Sequence, residues 1–231
     1  LLPSFDRIVG STRGRTLVSC FATSIPRIQR VVDVAIRHQR PLAFVGRRMV
    51  DNAEVALDLG RLRLPESLRV PAEALDQAPQ AVVFVSGSQG EPLSALSLVS
   101  VGDHRDLAAG PGDTVVLSAR VIPGNERAVS RLIGNLFRLG CDVVHSETAE
   151  VHVSGHGGQG DLLELLQRTR PRYLLPVHGE YRMLAQHARL AVAAGMPAER
   201  VLLAENGDVL RVSASFAARE SRVAAGRVLL E

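Results

Sequence analysis

The chain has 231 residues, 46% of them hydrophobic, and a formal net charge of +3. That composition can bury one large core or two small ones and excludes a chain too polar to fold. No secretory signal pattern is visible, and no apolar run approaches the roughly 18 residues of a membrane span, so a cytoplasmic protein without membrane contact is expected.

Every one of the 27 basic side chains is arginine. A planar guanidinium suits bidentate grip on phosphate. A GC-rich gene would write the same pattern, and composition does not separate the two. Cys20 and Cys141 lie far apart and form no CxxC. They indicate neither a disulfide framework nor a zinc ribbon and read as core residues. The opening Leu-Leu-Pro, with no Met, reads as a piece trimmed from a longer chain.

The first element is a buried strand at Thr16–Phe21. Thr23 and Ser24 follow as candidate helix caps, and Pro26 opens a helix to about His38. Leu42–Val45 is a second strand, followed by a helix at Val50–Leu59 that Gly60 stops. Arg61–Pro79 is loop-like. Ala81–Val85 is a third strand, closed by Ser86-Gly87-Ser88-Gln89-Gly90-Glu91, and Pro92 starts a short helix. Gly102–Asp113 reads as a surface loop. Thr114–Leu117 is a fourth strand, then Ile122-Pro123-Gly124-Asn125-Glu126 leads a helix to Leu139, and Asp142–His145 is a fifth strand. Alternating strands and helices predict an α/β fold with a Rossmann-like parallel sheet. Loops after parallel strands share one sheet edge, where open α/β folds hold ligands. Four small polar loops there suit phosphate, although ordinary capping chemistry uses the same residues.

The pattern then changes. Val151–Ser154 and Tyr173–Val177 are short apolar runs read as strands, and each runs into a histidine-glycine turn and then a helix. His156 lies between Ser154-Gly155 and Gly157-Gly158, where a backbone without Cβ atoms admits a ligand closely. His178 stands in Pro176-Val177-His178-Gly179-Glu180. Both are candidates for metal or acid–base work. His152, inside its strand, reads as a core or a partner-bonded histidine. Val201–Ala204 and Val209–Val212 flank Glu205-Asn206-Gly207-Asp208 and read as an Asn-Gly hairpin. One or two histidines fall short of the roughly three protein ligands of a catalytic zinc. The chain is thus expected to hold part of an active site.

The runs HVSGHGGQGDL, RPRYLLPVHGEYRML and ENGDVL resemble bacterial ribonuclease J. FATSIPR, GSQGEP and IPGNE resemble that family's other signatures in the same order. The resemblance covers nearly the whole chain. It implies a β-CASP domain at 1–148, a returning segment of the metallo-β-lactamase αββα fold at 149–213, and a linker at 214–231. It implies a zinc-dependent ribonuclease, acting as 5′–3′ exonuclease or endonuclease, with two zinc ions whose other ligands lie outside this chain. The implied partners are RNA, the missing N-terminal half, and further copies in a homo-oligomer. His178 corresponds to the last metal-binding histidine. His156 corresponds to the histidine that contacts the scissile phosphate or serves as acid. Thr23, Ser24, Ser154, Gly155, Gly157 and Gly158 match phosphate-holding loops. FATSIPR departs from the family's FASNIHR and SGHGG from its SGHAS, which weakens the phosphate pocket more than the histidines. The alternatives are another β-CASP nuclease acting on DNA or mRNA 3′ ends, and a non-catalytic phosphate-binding or dimerisation module.

Overall fold

A computed structural model describes residues 1–226. The chain divides into two compact units, Leu1–Ser154 and a second from Gly155 onward. Each has its own architecture.

The first unit alternates helices and strands in the order α1 (Leu2–Ser11), β1 (Thr16–Ser19), α2 (Ile25–Arg37), β2 (Leu42–Val45), α3 (Arg47–Asp58), β3 (Val82–Val85), α4 (Ala95–Ser100), β4 (Thr114–Leu117), α5 (Glu126–Arg138) and β5 (Asp142–His145). All five strands are parallel, in the spatial order β2-β3-β1-β4-β5. β1 to β4 are buried along their whole length. That is why they read as continuous Val-rich runs instead of alternating ones.

Period-2 alternation then sorts each strand between two cores. Val18, Phe44, Phe84 and Val116 face α2 and α3, packing against Ile28, Val32, Met49 and Ala53. Leu17, Val83, Val115 and Leu117 face α4 and α5, with Leu96, Val99, Leu132 and Leu136. Phe44 and Phe84 stack across neighbouring strands at 5.2 Å. Each such fully buried side chain contributes about 1.5–3 kcal/mol relative to exposure. The two cores hold the sheet between helical layers, as expected of the α/β reading.

This topology creates a switch point. The chain leaves β1 toward β2 through α2, and leaves β4 toward β5 through α5, on opposite faces of the sheet. The crevice between the ends of β1 and β4 is where such sheets accept ligands. At the opposite edge the buried Arg40 donates to the carbonyls of Thr12, Gly14 and Gln80, tying the entries of two strands together.

Several expectations are corrected here. α1, with Phe5 and Val9 buried, precedes the first expected element. The loop at 61–79 contains two short 3₁₀ turns, Glu66–Leu68 and Ala72–Gln77. Val151–Ser154 is not a strand. Val151 is fully buried in the core beneath α2, so these residues fold with the first unit although they lie beyond Thr148.

The second unit contains α6 (Gln159–Thr169), α7 (Tyr181–Ala193), β6 (Asp208–Val212) and β7 (Ala217–Arg222). Tyr173–Val177 forms no strand beyond a single parallel bridge between Leu174 and Val201. Two runs with so few paired groups have no ladder to extend. The Asn206-Gly207 turn also does not fold Val201–Ala204 onto β6. β6 pairs antiparallel with β7 instead, Asp208 opposite Arg222 and Val212 opposite Ala217. Ser213 closes that hairpin: its hydroxyl accepts from the N–H groups of Ser215 and Phe216. Part of the expected linker, Ala217–Arg222, is therefore paired sheet, and its last residues, 227–231, lie outside the described residues.

Candidate functional site

In the first unit three segments meet beyond the ends of β1 and β4. The β1 loop carries Thr23 and Ser24 into α2. Ser24 stands at the N-cap, yet its hydroxyl makes no capping bond; Pro26 removes one of the donors a cap would serve. Thr23 is exposed and Ser24 half-buried. The second segment begins at Ser118, whose N–H donates to the Ser19 carbonyl at 2.8 Å, carrying the ladder one residue past β4. The third is Val151–Ser154.

Ser118 and Arg27 fasten this third segment. The Ser118 hydroxyl donates to the Val151 carbonyl at 2.5 Å. One arm of the Arg27 guanidinium donates to the Ser118 carbonyl at 2.6 Å, the other to the Val153 carbonyl at 2.8 Å. His152 Nδ1 reaches the same Ser118 carbonyl at 3.4 Å, so that nitrogen carries the proton. Burial, then the Arg27 charge, push the His152 pKa below the ordinary histidine value, and Arg120 adds to this. His152 is the partnered histidine expected of it. Burial likewise holds the neighbouring Cys20 thiol protonated, its pKa pushed up to about 12.

Arg27 and Ser118 had no signal in the sequence beyond a charge at the start of a helix and a serine after a strand. Gln89 is a third residue that sequence reasoning passed over. It is 4% exposed. Its Nε2 donates to the Arg120 carbonyl at 3.0 Å, and its Oε1 accepts from Ile122 N–H at 2.9 Å. The Gln in GSQGEP therefore locks the β3 loop to the β4 loop, on either side of β1.

The second unit holds the two singled-out histidines. The rings of His156 and His178 are stacked, with centroids 6.2 Å apart and planes 8° from parallel. Both residues are exposed. His178 takes φ of +63°, the left-handed region, in which histidine is tolerated better than most residues. An open cavity of about 510 Å³ lies beside it, lined by Pro176, Val177, Tyr181, Glu205 and Asn206 among others. Gly155 has open space around it. Gly158 differs: its N–H donates to the Asp161 carboxylate at 2.7 Å. Asp161 thereby caps α6, and this N–H is engaged. Among the described residues no group of three His, Cys, Asp or Glu could hold a metal ion. The paired imidazoles of His156 and His178 are two, fewer than the ligands a catalytic zinc requires.

Two family models match the chain. Residues 13–136 match the family model described as Ribonuclease J, beta-CASP domain. Residues 143–202 match the Zn-dependent metallo-hydrolase RNA specificity domain. The protein named Ribonuclease J from Mycobacterium tuberculosis is 43% identical over 231 residues, which cover 99% of this chain and 41% of that protein. The Synechocystis protein of the same name is 40% identical over 215 residues, 92% of this chain and 34% of its own length. The Helicobacter pylori protein is 33% identical over 229 residues, 98% of this chain and 33% of its own length. The chain thus spans between a third and about two-fifths of the length of these relatives. Since the first match alone takes in more than half of its residues, the chain belongs to the ribonuclease J family.

Proposed function

We propose that this chain supplies the β-CASP domain and the returning metallo-hydrolase segment of a metal-dependent ribonuclease that hydrolyses RNA phosphodiester bonds in the cytoplasm. The observation that carries the reading is the parallel pairing of His156 and His178 within one compact unit. Two imidazoles, from turns that precede separate helices, are thereby brought ring to ring.

His178 is assigned as one metal ligand, with the others outside the described residues. Zinc, two ions per full site, is the proposed metal; when bound it supplies Lewis-acid and water-activating chemistry. His156 acts on substrate, donating a hydrogen bond or a proton to the departing oxygen. Its flanking glycines let an RNA backbone approach. Thr23, Ser24 and Ser154 hold a phosphate, with Gly155 and Gly157 following in the same loop. Gly158 contributes by shape alone while its N–H is engaged by Asp161. The arginine-only basic set favours RNA phosphates, and binding should weaken steeply with salt. A homo-oligomer is proposed as the working state.

The test uses the full-length protein that carries this chain and RNA oligonucleotides bearing 5′-hydroxyl, 5′-monophosphate or 5′-triphosphate ends. Metal-dependent hydrolysis that prefers the monophosphate, and loses that preference in Thr23→Val with Ser154→Ala, supports the reading. Equal rates on all three ends overturn the cradle. Absence of hydrolysis with metal present overturns the ribonuclease assignment.

A further inference from the structure

We propose that Arg27 is a positioning residue for the substrate site: its guanidinium holds the stem of the histidine-glycine loop, Val151–Ser154, against the loop that carries Thr23 and Ser24. The inference rests on the reading of those residues as a phosphate cradle.

Both ends of Arg27 are engaged. Its own N–H donates to the Ser24 carbonyl at 2.9 Å, so its backbone is fixed to the β1 loop. Its two terminal nitrogens grip the carbonyls of Ser118 and Val153, at 2.6 and 2.8 Å. Ser154, the proposed cradle residue, follows Val153 directly. The β1–β4 ladder already joins the first two segments; this one side chain ties to them the third, Val151–Ser154, which pairs with no strand. The Ser118 hydroxyl secures only the far end of that stem, at Val151. Among the described residues Arg27 forms no ion pair; its partners are neutral carbonyls, and burial lowers its pKa. A half-buried cation kept without a carboxylate is costly for a purely structural link. The planar fork explains the choice of residue, since a lysine ammonium cannot satisfy two carbonyls in that geometry.

The experiment measures kcat and KM of the full-length protein on 5′-monophosphorylated and 5′-hydroxyl RNA, for wild type, Arg27→Lys and Arg27→Ala. Metal content and thermal midpoint are recorded for each. We expect Arg27→Ala to raise KM for the monophosphate substrate about tenfold or more, the scale of losing hydrogen bonds from a charged donor. The preference over 5′-hydroxyl ends should collapse, with metal content unchanged. Guanidinium ion added to Arg27→Ala should recover part of the preference, and Arg27→Lys should fall between the two. Wild-type KM and preference in a folded Arg27→Ala would overturn the proposal. So would a loss in Arg27→Ala that only follows unfolding while Arg27→Lys stays at wild type. If wild type itself shows no end preference, the cradle reading fails. Amide exchange at Val153 and Ser154 then decides on the clasp: faster exchange in Arg27→Lys upholds it, and unchanged exchange overturns it.

Discussion

The imidazole rings of His156 and His178 lie parallel, 6.2 Å between centroids, although 21 residues separate them in the chain. His178 reaches that position on a left-handed backbone, with φ of +63°. Such a conformation in a side-chain-bearing residue costs about 1–2 kcal/mol relative to glycine. Retaining a histidine there fits a functional constraint. We expect His178→Gly to be more stable than His178→Ala by about 1 kcal/mol, measured by urea unfolding of the second unit. Equal stability would show that the backbone is unstrained.

Gln89 is expected to matter for stability more than its loop position suggests. Gln89→Ala would leave the Ile122 N–H and the Arg120 carbonyl without their partner, each in a part-buried bond. A typical intramolecular hydrogen bond contributes about 0.5–1.5 kcal/mol. A loss of about 1–2 kcal/mol in the first unit is expected by urea unfolding. A loss below about 0.5 kcal/mol would mean that water replaces the amide without penalty.

His152 gives the first unit an acid sensitivity. Burial and the charges of Arg27 and Arg120 lower its folded-state pKa, against the smaller opposing effect of the Ser118 hydrogen bond. The unfolded chain then binds the proton more readily than the folded one. Its contribution to stability is full above the ordinary histidine pKa, about 6.5, and is lost as pH falls from there toward the lower folded value. His152→Gln should flatten the stability profile across that window. A profile identical to wild type would remove His152 as the cause.

How much of this was legible follows from where each element gets its energy. β1 to β4 announced themselves because strands buried on both faces must be apolar throughout. The helices α2 and α5 announced themselves through one-sided apolar spacing. Val151–Ser154 carries the same apolar signature, but only Val151 uses it; the segment is held by Arg27 and Ser118, contacts 126 and 33 residues away that no local pattern encodes. The hairpin was misplaced because Asn206-Gly207 is a strong turn signal, whereas Ser213 closes the turn between β6 and β7 through its hydroxyl. His156 and His178 stood out by their glycine neighbours. The engagement of Gly158 by Asp161 needed coordinates, since a helix-capping acid and an accessible loop acid look alike in sequence.

The described residues offer no complete set of metal ligands. The purified chain of 231 residues should therefore bind zinc weakly, without fixed stoichiometry, because most of the roughly 10–16 kcal/mol of a complete zinc site comes from ligands acting together. Isothermal titration would show this as a shallow, unsaturated isotherm. One tightly bound zinc per chain would place a full site within these residues.

The most direct measurement separates the two histidines. In the full-length protein, zinc content and single-turnover RNA cleavage are compared for His178→Ala and His156→Ala. His178→Ala should lose metal and activity together. His156→Ala should keep its metal and lose turnover by the roughly 10²–10⁴-fold typical of a general acid. Full zinc occupancy in His178→Ala, or a wild-type rate in His156→Ala, would contradict the division of labour between metal binding and substrate chemistry.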